Sequence, residues 1–451
     1  MGSTVLQGGY LALLDDRFTV IEDGAVAVLD GLIDAVGARS ELPTRCSGAE
    51  VIDTSGKLVM PGLINVHTHL YSALARGLMA HLEPSSNFTE ILEHLWWRLD
   101  RALTERDISL SAAVGAIDLL RNGTTTIVDH HASQVHVDGS LSAIAAEIER
   151  AGLRANLCFE ITDRDGREVR EAGLAENARF AREVSETQAA SSGCGDHRLA
   201  ASVGLHASFT LEDETLERAA GLSRDLGVGC HIHVAEDRAD VEDSMARSGM
   251  RVVERLDSFG ILGDKTVAAH CIHIDANETR LLRESHTAVA HNPQSNMNNA
   301  VGRADVPRML SDGLLVGLGT DGFTASMFDE MKVANLIHRH ASKDPRVGHS
   351  IASDLCLRNN GRIAGRLLGQ SIGRIEPGAV ADIIVLDYDP PTPLVTGNLA
   401  GHMIFGLTGW MVETVMVGGK IVMRDRELLT VDERRIHALA RERAGDLWSR
   451  M

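Results

Sequence analysis

The stretch Pro61-Gly62-Leu63-Ile64-Asn65-Val66-His67-Thr68-His69 decides the architecture, because an apolar run that reads as a buried strand ends on two imidazoles in period two. Side chains along a strand alternate between faces, so His67 and His69 leave the same face and can bind a single cation. With its leading residues this run spans 58–69, and seven more follow at 124–131, 154–161, 199–206, 227–236, 266–273, 287–291 and 314–321. Helical stretches separate them, the alternation expected of parallel βα units buried on both faces. Eight such units close a barrel, whereas a doubly wound sheet more often stops near five or six. The expected fold is therefore α/β, a (β/α)8 TIM barrel. Nearly every run ends in an ionisable residue: His67 and His69, His131, Glu160, His206, Glu236, His273 and Asp321. Catalytic groups collect at the carboxyl ends of barrel strands.

Short β-type runs also open the chain, at 24–29 and 32–37, and close it, at 381–386 and 412–417. Neither end has enough strands to bury a sheet face alone. Both ends are expected to build one small β-sandwich domain from residues 1–58 and 374–430, beside a metal-dependent barrel at 59–373. A charged amphipathic helix at 431–451 is expected to pack on the barrel exterior, and the Ser/Gly patch at 191–195 reads as a surface loop.

Composition narrows the partners. The 451 residues are 44% hydrophobic and 24% charged, enough for one large core and a small one. The net charge of -19 repels nucleic acid and anionic membrane surfaces and suits a small, neutral ligand. No segment offers about 18 uninterrupted apolar residues, so no membrane span is expected. Cys46, Cys158, Cys194, Cys230, Cys271 and Cys356 are scattered, without a C-x-x-C pair, and read as buried thiols of a cytoplasmic protein. Association into a homo-oligomer is left open.

His233 and Asp321 complete, with His67 and His69, a set of three imidazoles and a carboxylate that suits one Zn2+ and leaves a position for water. Ligands without thiolate also admit Fe2+ or Mn2+. His231 is a rival ligand, since it shares a strand face with His233. Glu236 stands where a carboxylate can take a proton from an activated water and pass it to a ring nitrogen. Of His270 and His273, one is expected to face the metal and the other a loop, while His206 is a candidate for orienting substrate. Residues 70–99, with Tyr71, His81, Trp96 and Trp97, can form a lid stacking on a flat ring. Glu160 with Asp163-Arg164-Asp165, the amides Gln294, Asn296, Asn298 and Asn299, and Asp129-His130-His131 are further candidates for reading ring edges.

Together, 61–69, His233-Val234-Ala235-Glu236, Ala269-His270-Cys271-Ile272-His273, His291-Asn292-Pro293 with Ser295-Asn296, and Gly319-Thr320-Asp321-Gly322 resemble the amidohydrolase superfamily. The similar branch holds guanine, 8-oxoguanine and S-adenosylhomocysteine deaminases and s-triazine hydrolases, and within it the chain looks most like the SsnA-type aminohydrolases. The resemblance extends to 373–382 and implies His67, His69, His233 and Asp321 as metal ligands. It further implies Glu236 as proton shuttle, His270 as the group that polarises or positions the attacked centre, and His206 as a substrate contact. Binuclear members bridge two metals with a carboxylated lysine. Lys57, Lys265, Lys332, Lys343 and Lys420 do not stand at that place, so one divalent metal per chain is expected. The implied reaction is hydrolytic deamination of an amino-substituted nitrogen heterocycle, purine- or pterin-like. The same machinery permits s-triazine chlorohydrolase or N-dealkylase chemistry and cyclic-amide opening, because fold and metal set do not choose the leaving group. A non-catalytic scaffold is the alternative of another class, and the intact set of ligands and shuttle argues against it.

Overall fold

A computed structural model describes residues 2–42, 48–78, 82–190 and 197–451, so Cys46, His81, Cys194 and the 191–195 patch lie outside the described residues. The chain opens with β1 (Ser3–Ala12), β2 (Val20–Leu29), β3 (Leu32–Ala38), β4 (Glu50–Asp53) and β5 (Leu58–Pro61). β1 pairs with β2, β4 and β5, yet sequence reading passes over it. The reason is Gly8-Gly9: Gly8 takes φ +103° and the ladder to β2 slips on both sides of Gly9, so a bulge interrupts the alternation that marks a strand.

The barrel follows as β6 (Leu63–Thr68), β7 (Thr124–His131), β8 (Arg154–Ile161), β9 (Leu199–Ala201), β10 (Val203–Ala207), β11 (Cys230–Val234), β12 (Val267–His270), β13 (Ala288–His291) and β14 (Val316–Leu318). They lie parallel in the order β6-β7-β8-β10-β11-β12-β13-β14, with β9 beside β8. Two expected strands are each divided. The 58–69 run becomes β5 in the terminal sheet and β6 in the barrel, and the 199–206 run becomes β9 and β10. The chain then returns to the first sheet as β15 (Ile383–Leu386), β16 (Val412–Val417), β17 (Lys420–Arg424) and β18 (Glu427–Leu428), giving a mixed nine-stranded sheet from both ends. Ile33 N–H donates to Ala379 O and Gly378 N–H to Ile33 O, each 2.8 Å, so the far edge meets the segment leading into β15. The sheet curls around Leu6, Val26, Val28, Val59, Ile383, Val385 and Met416.

The barrel closes between its first and last strands. At the top, His67 O accepts from both Thr320 N and Asp321 N at 3.0 Å. Lower down, Asn360, first residue of the helix Asn360–Leu368, donates to Ile64 O (2.6 Å) and Leu318 O (2.8 Å) and accepts from Leu318 N (2.7 Å). A side chain at Gly317 would place its Cβ 2.6 Å from Asn360 Oδ1, so only glycine lets the amide approach this seam. Inside, Ile64, Val66, Val128, Val267, Ala269, Ala288 and Ala290 pack with Ile363 and Leu368 in an apolar layer below the upper strand ends. The buried pair Arg154–Asp382 (3.2 Å) joins the barrel to the terminal sheet. The C-terminal helix Glu433–Trp448 lies outside the barrel, where Arg443 and Arg450 reach Asp107 at 2.5 and 2.6 Å.

Candidate active site

Four side chains meet where β6, β11 and β14 end. Ligand atoms of His67, His69, His233 and Asp321 all lie within 4.8 Å of one another. His69 Nδ1–H donates to His130 O (2.5 Å) and His233 Nδ1–H to His206 O (2.9 Å). Each ring therefore turns its other nitrogen inward, and the two Nε2 atoms face each other at 3.3 Å. Lone pairs so placed repel unless a cation or a proton lies between them. His69 Nε2 also lies 2.9 Å and His67 Nε2 3.5 Å from Asp321 Oδ1. Burial disfavours a proton on His69, but the Asp321 carboxylate outweighs it and lifts the imidazole to about 9. Burial likewise works against charge on Asp321, and the His67 and His69 imidazoles beside it hold its carboxyl well below the usual range. The donor set and its appetite for positive charge fit a divalent metal.

Strained backbone aims these groups. Ala235 (φ 45°), His270 (71°), Cys271 (50°) and Asp321 (56°) all adopt left-handed conformations at the upper strand ends, a rare state for residues with a Cβ. Glu236 follows Ala235 into the cleft. Burial, then the Asp321 charge, raises its carboxyl well above the usual range, against a hydrogen bond from Asn299. His270 Nδ1–H donates to Asn296 Oδ1 (2.7 Å), which leaves Nε2 an acceptor 3.5 Å from Glu236 Oε2 and 3.8 Å from Asp321 Oδ2. His273 instead bonds Val301 O at 2.8 Å, on the loop.

The cleft above has an aromatic wall. Phe88, Leu92, Trp96 and Trp97 line it from one helical segment that contains a π-turn, Leu92–Trp96, which lets adjacent tryptophans face the same space. His206, Phe209, Asp100 and Glu160 also line the cleft, and a Glu160 oxygen lies within 4.8 Å of a ring nitrogen of His233. His206 Nδ1 bonds Thr210 Oγ1 (2.7 Å), whose hydroxyl is committed to Ala207 O, so His206 Nε2 is left as an acceptor toward the cleft. Arg164 stacks on Trp97 and pairs with Asp100 and, at 3.4 Å, Glu160. Burial pushes the Asp100 carboxyl up to about 7 against the pull of Arg164.

A model of the amidohydrolase family matches residues 58–422. The chain belongs to that family. Its relatives include the 5-methylthioadenosine/S-adenosylhomocysteine deaminase of Pelotomaculum thermopropionicum, 31% identical over 454 residues with 100% of both chains covered. The 5'-deoxyadenosine deaminase of Methanosarcina mazei is 31% identical over 455 residues, again with 100% of both chains covered. Such relatives put this amidohydrolase among enzymes acting on carbon–nitrogen bonds. An adenosine deaminase from Xanthomonas campestris with bound zinc shares the fold at a TM-score of 0.88, with 24% identity and 99% of both chains covered.

Of the residues singled out in this amidohydrolase's sequence, Tyr71, Trp96, Trp97, Glu160, His206, Glu236 and Asn299 line the cleft together with His69, His233 and Asp321. Gln294 and Asn296 stand behind its wall: Gln294 N–H donates to Glu330 Oε2 (3.4 Å), and Asn296 is spent on His270. His231 lies beneath the cluster, its Nε2 2.9 Å from His67 Nδ1, and so supports a candidate ligand from below. Asp129 and His130 support the loop after β6, Asp129 Oδ1 accepting from Leu70 N at 2.8 Å. Asp163 accepts from Glu212 N and Thr215 Oγ1, a helix-start contact away from the cleft. Asp100, Phe209 and Ser295, which donates to Asp321 Oδ2 at 2.5 Å, escape sequence reading as individual residues. An acid three residues beyond Trp97 on an otherwise apolar helix face is the signal that could have found Asp100.

Proposed function

We propose that this amidohydrolase is a metal-dependent hydrolytic deaminase of an amino-substituted, purine-like heterocycle. The observation that carries the reading is the convergence of inward-facing Nε2 atoms, Asp321, Glu236 and the His270 acceptor at the floor of a cleft walled by aromatic faces. His67, His69, His233 and Asp321 would hold one divalent metal, zinc before iron or manganese, which when bound supplies an activated water at neutral pH. Glu236, kept protonatable by burial, takes a proton from the attacking water and gives it to the ring nitrogen beside the attacked carbon. His270 Nε2, its tautomer fixed by Asn296, accepts a hydrogen bond at the attacked centre. With Asp321 it assists the transfer by which the amine leaves as ammonia, so ring C–NH2 and water become ring C=O and NH3. Trp96 and Trp97 stack on the ring, and Asp100 and Glu160 accept from its N–H or O–H groups.

The deaminase names of the whole-chain relatives support amine as the leaving group and put adenine nucleosides first among substrates to try. No helix among the described residues is long and apolar enough to cross a membrane. Buried free thiols at Cys158, Cys230, Cys271 and Cys356 support a cytoplasmic location, and the charge of -19 supports a small-molecule partner over nucleic acid. The test is a coupled ammonia assay on metal-loaded protein with 5-methylthioadenosine, S-adenosylhomocysteine, 5'-deoxyadenosine, guanine, 8-oxoguanine, pterins, cytosine and aminotriazines. Ammonia from at least one is expected. No ammonia from any, with opening of a hydantoin or imidazolone ring, would replace deamination by cyclic-amide hydrolysis.

A further inference from the structure

Two of the candidate ligand imidazoles are oriented by main-chain carbonyls, His69 by His130 O and His233 by His206 O. His67 differs. Its Nδ1 meets a side chain, His231 Nε2, at 2.9 Å, and the contact belongs to a longer series. His231 Nδ1 lies 3.8 Å from Cys158 Sγ, and Cys158 Sγ lies 3.5 Å from Asp129 O. His67 comes from β6, Asp129 and Cys158 from the adjoining β7–β8 pair and His231 from β11, beyond β10, so the contacts cross the barrel interior, and all four are fully buried.

The direction of every bond follows from the last acceptor. A carbonyl oxygen only accepts, so the Cys158 thiol must donate its hydrogen to Asp129 O. The sulfur then has only lone pairs to offer, and His231 Nδ1 must be the protonated nitrogen facing it. A neutral imidazole with a proton on Nδ1 has none on Nε2, so His231 Nε2 accepts and His67 Nδ1–H donates. The same bookkeeping leaves His67 Nε2 a bare lone pair, 3.5 Å from Asp321 Oδ1 and without a hydrogen-bond partner among the described residues.

We infer that His231 and Cys158 are positioning residues that hold His67 in its ligand-ready tautomer, through the directed series His67→His231→Cys158→Asp129 O. The inference rests on the proposed metal site. Partners of this kind set metal affinity, and losing one costs about 10- to 100-fold. The series adds a specific demand: removing the thiol frees His231 to turn its proton to Nε2, where it would oppose the Nδ1–H of His67.

The test is the zinc dissociation constant of the full chain, measured by chelator competition, with circular dichroism melting in excess zinc to verify folding. His231→Leu should weaken zinc binding about 10- to 100-fold, while His231→Gln, which keeps an acceptor oxygen, should stay within about 3-fold of wild type. Cys158→Ser retains a group that accepts and donates and should bind zinc nearly as wild type. Cys158→Val should lose about 10-fold. If His231→Leu fails to fold, the Cys158 pair decides alone. Equal weakening by His231→Leu and His231→Gln, or wild-type affinity in His231→Leu or Cys158→Val, would overturn the inference. A wild-type chain that binds no zinc would instead overturn the metal site itself, so the two failures are told apart by the reference measurement.

Discussion

The two walls of the cleft are built on opposite plans. On the barrel side each chemical group is held by a partner from an adjacent strand or turn: His69 by His130 O, His233 by His206 O, His270 by Asn296 and Asp321 by Ser295. On the other side, Phe88, Leu92, Trp96 and Trp97 rise from one segment, capped at its start by Asn87 and held by arginines at its far end. There Arg164 grips Asp100, Arg450 bonds Ala102 O and Arg443 reaches Thr104 and Asp107. The difference separates tasks. Groups that move protons need positions fixed to a fraction of an ångström, whereas a surface that accepts a ring tolerates adjustment.

Breaking the barrel wall should give the largest effect. His233→Ala or Asp321→Ala should abolish metal binding and lower ammonia release at least about 10^3-fold, read by metal analysis beside the coupled assay. Two tightly bound metals per wild-type chain would contradict the single site drawn from His67, His69, His233 and Asp321. Glu236→Gln keeps size and metal but removes the base, so kcat should fall about 10^2-fold or more. Near-normal turnover with metal retained would move the shuttle to another group. Asn296→Ala leaves the buried His270 Nδ1–H without its 2.7 Å acceptor, and about a 10-fold loss in kcat at unchanged KM is expected. A change confined to KM would make Asn296 a substrate contact after all.

The aromatic wall should respond differently. Trp97→Phe and Asp100→Asn should raise KM by about 3- to 10-fold with kcat within about 2-fold, as for interactions shared by ground and transition states. A kcat loss like that of Glu236→Gln would erase the distinction between the walls. The smallest effect concerns the outer clamp. Burial opposes charge on Asp107, but hydrogen bonds from Arg443 and Thr104 hold its carboxyl below the usual range. A depressed folded value means stability that is present above the unfolded value near 3.9 and is lost as pH falls through the folded one. Asp107→Asn should therefore lower the melting temperature by about 2 °C at pH 7 and flatten its acid dependence below pH 4. An unchanged acid limb would remove Asp107 from the clamp.

Legibility in the sequence follows the same division. The barrel wall was readable because ligand-type residues recur at strand ends with period two, as at His67 and His69, and because eight apolar runs imply closure. What those residues lean on was not readable. Whether His231 faces the cleft or supports His67 depends on how β11 is rotated against β6, and a period of two fixes only the face. The aromatic wall was half visible, as a lid with Trp96 and Trp97 in it. The π-turn that brings both indoles to one side has no composition of its own, and without it the helical spacing from Trp97 to Asp100 does not say that the acid reaches the cleft. In the terminal sheet, β1 hid behind Gly8-Gly9, where the bulge destroys the alternation by which strands are recognised.

One amide decides whether the barrel has an edge. Between His67 O at the rim and the apolar layer below, Asn360 takes up Ile64 O, Leu318 O and Leu318 N across the junction of β6 and β14. Without that amide, β6 and β14 would each present unsatisfied main-chain groups, the kind of surface on which strands of other molecules assemble. Asn360 is thus a guard against self-association during folding as much as a brace of the finished molecule, and its loss would be felt first in the yield of monodisperse protein.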